Sequence, residues 1–528
     1  MRQKRRINMS LKVNTEQICS REIICRTVKE QSIELDYILP DYYPEIFRII
    51  RCTAVPSAVS CAVNGNRLTY ELSVLLRIIY CSGSGSSVHT VERRLNYSGS
   101  VDIEDNGILP ASRIIPAVDY INCRAVTGRR IDVRGAVSVS VTVTAQKTRS
   151  VISDVFGDNI LLKKQEIVCP SPEIYSEKRI TVSEDIDLGS EKPPVSDILR
   201  CSAAAVPGEN KAIANKLAVK GDIKVSMLYS SGSEDDTPSA PESMQFVLPY
   251  SQIMDMDGLD ERCEVTSYVT AVSCELRPKS DGSGESHTVE CEVMLLIICT
   301  ASRYSPAMVA VDEFSPIYAT EHKTEDIKIP LAPVPVNYSG SVRQTAELHD
   351  GNIESVYDSW CEVTACDMLR EEDGGLTAVG KALLCSMVKC YSGEIAVISA
   401  DVPFRFENVS GSNVLSADAV TDAEAVPLSC SYSITSDNSA EIKAELQLTG
   451  IIRNYMHITG ITEISADEDD PLPASSDAAV KLYFAEKGED LWDTAKRCRT
   501  SPQAIMEENA LDSEIMSEDA MIIIPIIR

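Results

Sequence analysis

The chain is poor in the features that usually announce a chemistry. Its five histidines, His89, His287, His322, His349 and His457, are scattered, and none is spaced from another as metal ligands are. There is no glycine-rich phosphate loop, no His-Glu-x-x-His and no Gly-x-Ser-x-Gly. Cys-x-x-Cys is absent as well, although the chain carries 18 cysteines. No apolar run approaches the roughly twenty residues that cross a bilayer. The first six residues are basic, but no apolar core follows, so secretory export and membrane insertion are not expected. Positive charge is scarce: 50 Lys and Arg stand against 79 Asp and Glu, a formal charge of −29. Such a chain is repelled by nucleic acid and by anionic membranes, and neither is an expected partner. The acidic pairs Asp235/Asp236 and Asp469/Asp470 lie in polar runs and read as solvated charge. The run 467–470 lacks the alternating ligands of a calcium loop. The expectation is therefore no catalytic residue, no metal, no cofactor and no enzyme activity.

What the chain does have is alternation. Leu68, Tyr70, Leu72, Val74, Leu76 and Ile78 alternate with mostly polar neighbours, and so do Ile131 to Val143, Leu217 to Tyr229 and Val289 to Cys299. Looser versions occupy 376–391 and 442–452. Period two marks half-buried strands. These strands are spaced alternately by about 65 and about 90 residues, so a pair recurs about every 155 residues. Three pairs are the simplest account. Most cysteines, such as Cys291 and Cys299, fall inside these apolar patterns, which fits reduced thiols serving as small core residues. One motif recurs: 44–52 ends Ile49-Ile50-Arg51-Cys52, and 193–201 ends Ile198-Leu199-Arg200-Cys201. In the third unit, Asn352-Ile353-Glu354-Ser355-Val356 stands where the proline motif is expected.

The tail, 482–525, has a different period. Tyr483-Phe484 reads as a short strand ended by Gly488. Asp490 is placed to cap a helix with Leu491, Trp492 and Ala495 on one face. Ser501-Pro502 starts a second helix carrying Ile505, and Asn509 can end it. The β-branched run 522–524 is a closing strand, stopped by Pro525. Between this tail and the β region, residues 466–480 are acidic and rich in Pro and Ser, and read as a flexible tether.

Two resemblances follow from these residues. The aromatic strand, Gly488 with Asp490-Leu491-Trp492, Ala495, Ile505, Asn509-x-Leu511 and Ile524-Pro525 resemble a LysM domain. The Thr that usually follows the Gly-Asp pair is absent, and Ser517-Glu518-Asp519 replaces the usual Pro-Gly turn. Leu39-Pro40-Asp41-x-x-Pro44-Glu45-Ile46, followed by the long strand ending at Tyr80, is similar to the DUF3794 family, over roughly residues 33–465. DUF3794 units followed by a LysM tail resemble the SipL-like family of spore-coat morphogenetic proteins. That resemblance implies a non-enzymatic adaptor in the mother-cell cytoplasm, recruited to the forespore surface. Its LysM domain would bind the morphogenetic ATPase of the coat basement layer, and other coat proteins are further possible partners. Binding of peptidoglycan or another N-acetylglucosamine polymer is the alternative.

The expected fold class is mainly β: three tandem sandwich- or barrel-like units over 1–165, 166–325 and 326–465, the tether at 466–480, and a βααβ LysM domain at 481–528. The expected partner-binding residues lie on the two altered loops and their flanks: Lys487, Gly488, Glu489, Asp490, Leu491, Trp492, Asn509, Leu511 and Ser517.

Overall fold

A computed structural model describes residues 12–83, 87–103, 108–156, 159–189, 191–231, 240–280, 286–372, 374–411, 415–472 and 480–525. Over these residues the protein is mainly β, with 24 strands and two short helices.

The first 22 strands fall into three groups. The first is β1 (Lys12–Ile38), β2 (Arg48–Asn64), β3 (Arg67–Ser82), β4 (Ser87–Asp102), β5 (Ile108–Thr127) and β6 (Arg130–Phe156). The second is β7 (Leu161–Pro170), β8 (Ile174–Asp187), β9 (Val195–Ile213), β10 (Lys216–Ser231), β11 (Glu242–Asp255), β12 (Glu264–Lys279), β13 (Thr288–Ser302) and β14 (Tyr304–Phe314). The third is β15 (Tyr318–Pro330), β16 (Val334–Glu347), β17 (Ile353–Arg370), β18 (Leu376–Cys390), β19 (Ile395–Phe406), β20 (Val420–Ser436), β21 (Ser439–Arg453) and β22 (Tyr455–Pro471). The tail contains β23 (Val480–Ala485), α1 (Leu491–Cys498), α2 (Pro502–Asn509) and β24 (Ala520–Pro525).

Each group builds two three-stranded antiparallel sheets around one apolar core, and no sheet closes on itself into a barrel. In the first group the sheets are β2-β3-β4 and β1-β6-β5. In the second they are β9-β10-β11 and β8-β13-β12, and in the third β17-β18-β19 and β16-β21-β20. The middle strands are β3, β6, β10, β13, β18 and β21, the six alternating stretches of the sequence. A middle strand is paired on both edges and buries one face, so its side chains must alternate. Leu68, Leu72, Val74, Leu76 and Ile78 of β3 thus pack with Ile131, Val133, Val137, Val139 and Val141 of β6.

The first and last strands of each group extend beyond the sheets as a two-stranded leg. In the first group the ends of β1 and β6 pair from Lys12↔Phe156 onward. In the second and third, prolines break the first strand, at 170–172 and 330–333, and the last strand breaks at Arg303 and Asn454, so β7 pairs with β14 while β15 pairs with β22. The segment 330–336, which reads from sequence as a linker between units, is one of these breaks and lies inside the third group. Part of the expected tether is also structured. Strand β22 runs to Pro471 opposite Tyr318, and Leu472 N–H donates to the Ile317 carbonyl at 2.7 Å. Residues 473–479 lie outside the described residues, as do 232–238, whose Gly, Ser, Asp and Pro content reads from sequence as a long hairpin loop.

The three legs meet in a common core of equivalent residues. Ile18, Ile167 and Ile327 occupy one layer with Val151 and Val309. Ile152, Ala310 and Ile461 form the next. The position equivalent to Val151 and Val309 in the third leg is Gly460. A Cβ there would lie 2.6 Å from Val151 Cγ1 and 3.2 Å from Val309 Cγ1, so only glycine fits.

At the other end the sheets meet head to head around Ile79, Leu199, Leu228, Trp360 and Cys385. The registers Arg51↔Ile79, Arg200↔Leu228 and Trp360↔Cys385 make Arg51, Arg200 and Trp360 equivalent. Both guanidinium carbons lie 5.4 Å from the Trp360 ring centre. Arg51 pairs with Glu362 at 2.7 Å, and Arg200 pairs with Asp358 at 2.7 Å. The third copy of the Arg-Cys motif is therefore Trp360-Cys361. Two further equivalent residues explain why the copy is degenerate. Tyr80 and Tyr229 donate hydroxyl bonds to the carbonyls of Pro44 and Pro193, at 3.2 and 3.3 Å. The third group has Ser386 at that position, bonded instead to Ser359. With no tyrosine to receive it, the proline motif has no partner there.

Candidate interaction site

The tail is a two-stranded antiparallel sheet, β23 with β24, covered on one face by α1 and α2. Its local rules are those of its sequence. Asp490 Oδ1 accepts from Trp492 N at 2.9 Å and starts α1. Arg499 ends it in the left-handed region at φ 58°. Ser501 Oγ accepts from Ala504 N at 3.0 Å, with Pro502 in the first turn of α2. Ala485, Leu491, Trp492, Ala495, Ile505, Met516, Ile522 and Ile524 form the core.

Backbone bonds zip the two candidate loops together. Gly488 N donates to Met516 O at 2.8 Å, Met516 N to Glu489 O at 2.9 Å, and Leu491 N to Glu514 O at 2.8 Å. Gly488 sits at φ 86° with open space around it. The structure thus brings Lys487, Gly488, Glu489 and Asp490 beside Ser517. Of these, Lys487, Gly488 and Ser517 are exposed. Glu489 is turned inward, accepting from Tyr483 at 2.7 Å and Thr494 at 2.6 Å. Burial opposes its ionisation, but those two bonds outweigh it and hold its carboxyl below the usual range. Leu491 is fully buried. Asn509 braces the closing strand: its side chain bonds both N–H and carbonyl of Ile523, each at 2.7 Å. Leu511 is half-buried against the same core.

Sequence alone describes a module held only by its tether. In the structure its α1 end also rests on the second leg. Trp492 meets Phe314 edge-on at 4.9 Å, and its Nε1 donates to Asp312 Oδ2 at 2.8 Å. Lys496 Nζ reaches Asp312 Oδ1 at 2.6 Å, and Lys163 pairs with Asp490 at 2.5 Å. Burial opposes ionisation of Asp312 and Asp490, yet their lysine partners win and hold both carboxyls below the usual range. These contacts cover Trp492 and leave the opposite side of the tail open. There, Leu482, Phe484 and Met521 are 68%, 55% and 64% exposed. Register puts Phe484 opposite Met521 and Leu482 opposite Ile523, so these residues share the outer face of the sheet. The sequence analysis did not single them out, although strand alternation around Tyr483 and Ile522 carries the signal.

A cavity of about 60 Å³ where the three groups meet is lined by Arg21, Gln146, Glu173, Thr266, Tyr304 and Arg453. Arg21 pairs with Glu173 between the first and second groups, and Asp422, paired with Arg453 at 2.6 Å, also meets Arg113 of the first group at 3.7 Å. Among the described residues no group of three or more His, Cys, Asp or Glu side chains is placed to hold a metal ion. Nor is any helix among them long and apolar enough to cross a membrane.

Over the described residues the chain is a mainly β body with a small helical module at its end. Comparison with known proteins adds one match. Residues 194–277 are similar to the family described as SipL, SPOCS domain, which supports a SipL-like, sporulation-related protein. The match spans β9 to β12 of the second group. No curated protein and no solved structure matches.

Proposed function

We propose that this chain is a non-enzymatic adaptor of spore-coat assembly. Its β body is a scaffold of three DUF3794-like sandwich units, and its LysM-like tail binds the morphogenetic ATPase of the coat basement layer at the forespore surface. The observation that carries this reading is the SipL match at 194–277. The repeated strand order of the first and third groups extends it to the rest of the body. The partner contact is centred on Lys487, Gly488 and Ser517 and continues over the neighbouring Phe484 and Met521, because Leu491 and Trp492 are covered.

The full chain is tested against the purified ATPase and, in parallel, against insoluble peptidoglycan. Retention by the ATPase that is weakened by Lys487→Glu and by Phe484→Ser supports the proposal. Retention on glycan with no binding to the ATPase overturns it.

A further inference from the structure

The repeat places two cysteines face to face in every unit. In each unit the edge strands of the two sheets pack side by side: β2 with β5, β9 with β12, and β17 with β20. Side-chain bonds across these seams show how closely they approach. Cys61 Sγ lies 3.3 Å from Ser112 Oγ in the first, and Asn210 Nδ2 donates to Ser267 Oγ at 2.9 Å in the second. In the third, Tyr432 Oη donates to the Val356 carbonyl at 3.1 Å. Across these seams Cys52 hydrogen-bonds with Cys123 and Cys201 with Cys274, and Cys361 lies within electrostatic reach of Cys430. Cys201 Sγ lies 3.3 Å from the Cys274 carbonyl oxygen. The first residue of each pair is the cysteine of the recurring Arg51-Cys52, Arg200-Cys201 and Trp360-Cys361 motif. All six are free thiols, and only Cys361 is fully buried.

We infer that Cys52/Cys123, Cys201/Cys274 and Cys361/Cys430 are three equivalent oxidation sites, each closing to a disulfide that staples the two sheets of its unit. The oxidant is an external hydroperoxide. One thiolate attacks the peroxide oxygen and becomes a sulfenic acid, releasing water or an alcohol. The second thiol then attacks that sulfur and releases water, so two thiols and one peroxide give one disulfide. Close approach of the paired strands is what such a bridge requires.

The three sites differ in readiness. In the second unit, Cys274 hydrogen-bonds to Cys201, burial opposes ionisation, and the Arg77 guanidinium 3.3 Å away adds to the bond, lowering Cys201 to about 6. Cys52 is lowered by the same kind of bond from Cys123. In the third unit burial pushes Cys361 up, and Cys430 is raised to about 12. A lower pKa supplies more thiolate near neutral pH, so the second site closes first and the third last.

The test treats the native full chain with hydrogen peroxide, then blocks remaining thiols and maps linked peptides by mass spectrometry without reduction. The expected result is loss of six of the 18 thiols, three links joining 52 to 123, 201 to 274 and 361 to 430, no covalent dimer, and full reversal by dithiothreitol. The Cys123→Ala, Cys274→Ala and Cys430→Ala variants should each lose one link and keep the other two, which holds even if the triple variant fails to fold. Linkage of Cys274 to Cys291, links between chains, over-oxidation without links, or unchanged thiols would each overturn the assignment.

Discussion

Trp360 is the residue on which the three sheet groups converge. Two equivalent arginines approach the same ring, and a third arginine there would leave three like charges together. The tryptophan turns that repulsion into two cation–π contacts. Its Nε1 also donates to Glu362 at 3.0 Å, the carboxylate that pairs with Arg51. Trp360→Ala should cost about 3–5 kcal/mol, read as a lower urea midpoint, whereas Trp360→Phe keeps the stacking surface and should lose less. Asp312 is the corresponding residue for the tail. It belongs to β14, outside the tail's own fold, and touches both Trp492 and Lys496. Asp312→Ala should undock the tail while leaving it folded, seen as faster backbone relaxation of 480–525 with unchanged tail chemical-shift dispersion.

The strands show what was readable in advance. The six middle strands were legible because burial on one face and pairing on both edges force a strict period of two. Their partners were not. Strands such as β2, β5 and β9 are half-exposed along much of their length and carry weaker patterns. The legs were hidden for another reason. They pack against other legs, so their apolar residues answer to a core assembled from three distant stretches. Gly460 illustrates this, being conspicuous only once Val151 and Val309 surround it. Gly460→Val should destabilise by about 1–3 kcal/mol through overpacking, measured by thermal or urea denaturation. The caps of α1 and α2 were legible from Asp490 and Ser501-Pro502, because capping is local chemistry. The outer face of β23 and β24 went unnoticed, since Tyr483 and Phe484 look alike in sequence and face opposite ways. Docking of Trp492 was illegible too, because its partner lies in β14, far along the chain.

For the molecule as a whole, acid should loosen the tail contact through Asp312 and Asp490. Asp312 and Asp490 have folded-state pKa values below 3.8, the ordinary value. A depressed carboxyl stabilises fully above its unfolded pKa, and that contribution fades as pH falls through the folded value. Docking should therefore be constant between about pH 5 and 8 and weaken only below 3.8. Fluorescence of Trp492, isolated by Trp360→Phe since the chain has two tryptophans, would follow it. Retention of docking well below that value would show that Phe314 and Leu161, rather than the ion pairs, hold the tail.

The chain passes from one group to the next only at the tips of the legs, between Phe156 and Leu161 and between Phe314 and Tyr318. The molecule is a tripod bound covalently at its feet and held at its heads by side chains alone. A protease nick at either crossing would leave its outline intact. Breaking the grip at Trp360 would part the heads at their far end, while Arg113, on Tyr268 and Asp422, still ties them nearer the legs and the tail stays barely disturbed.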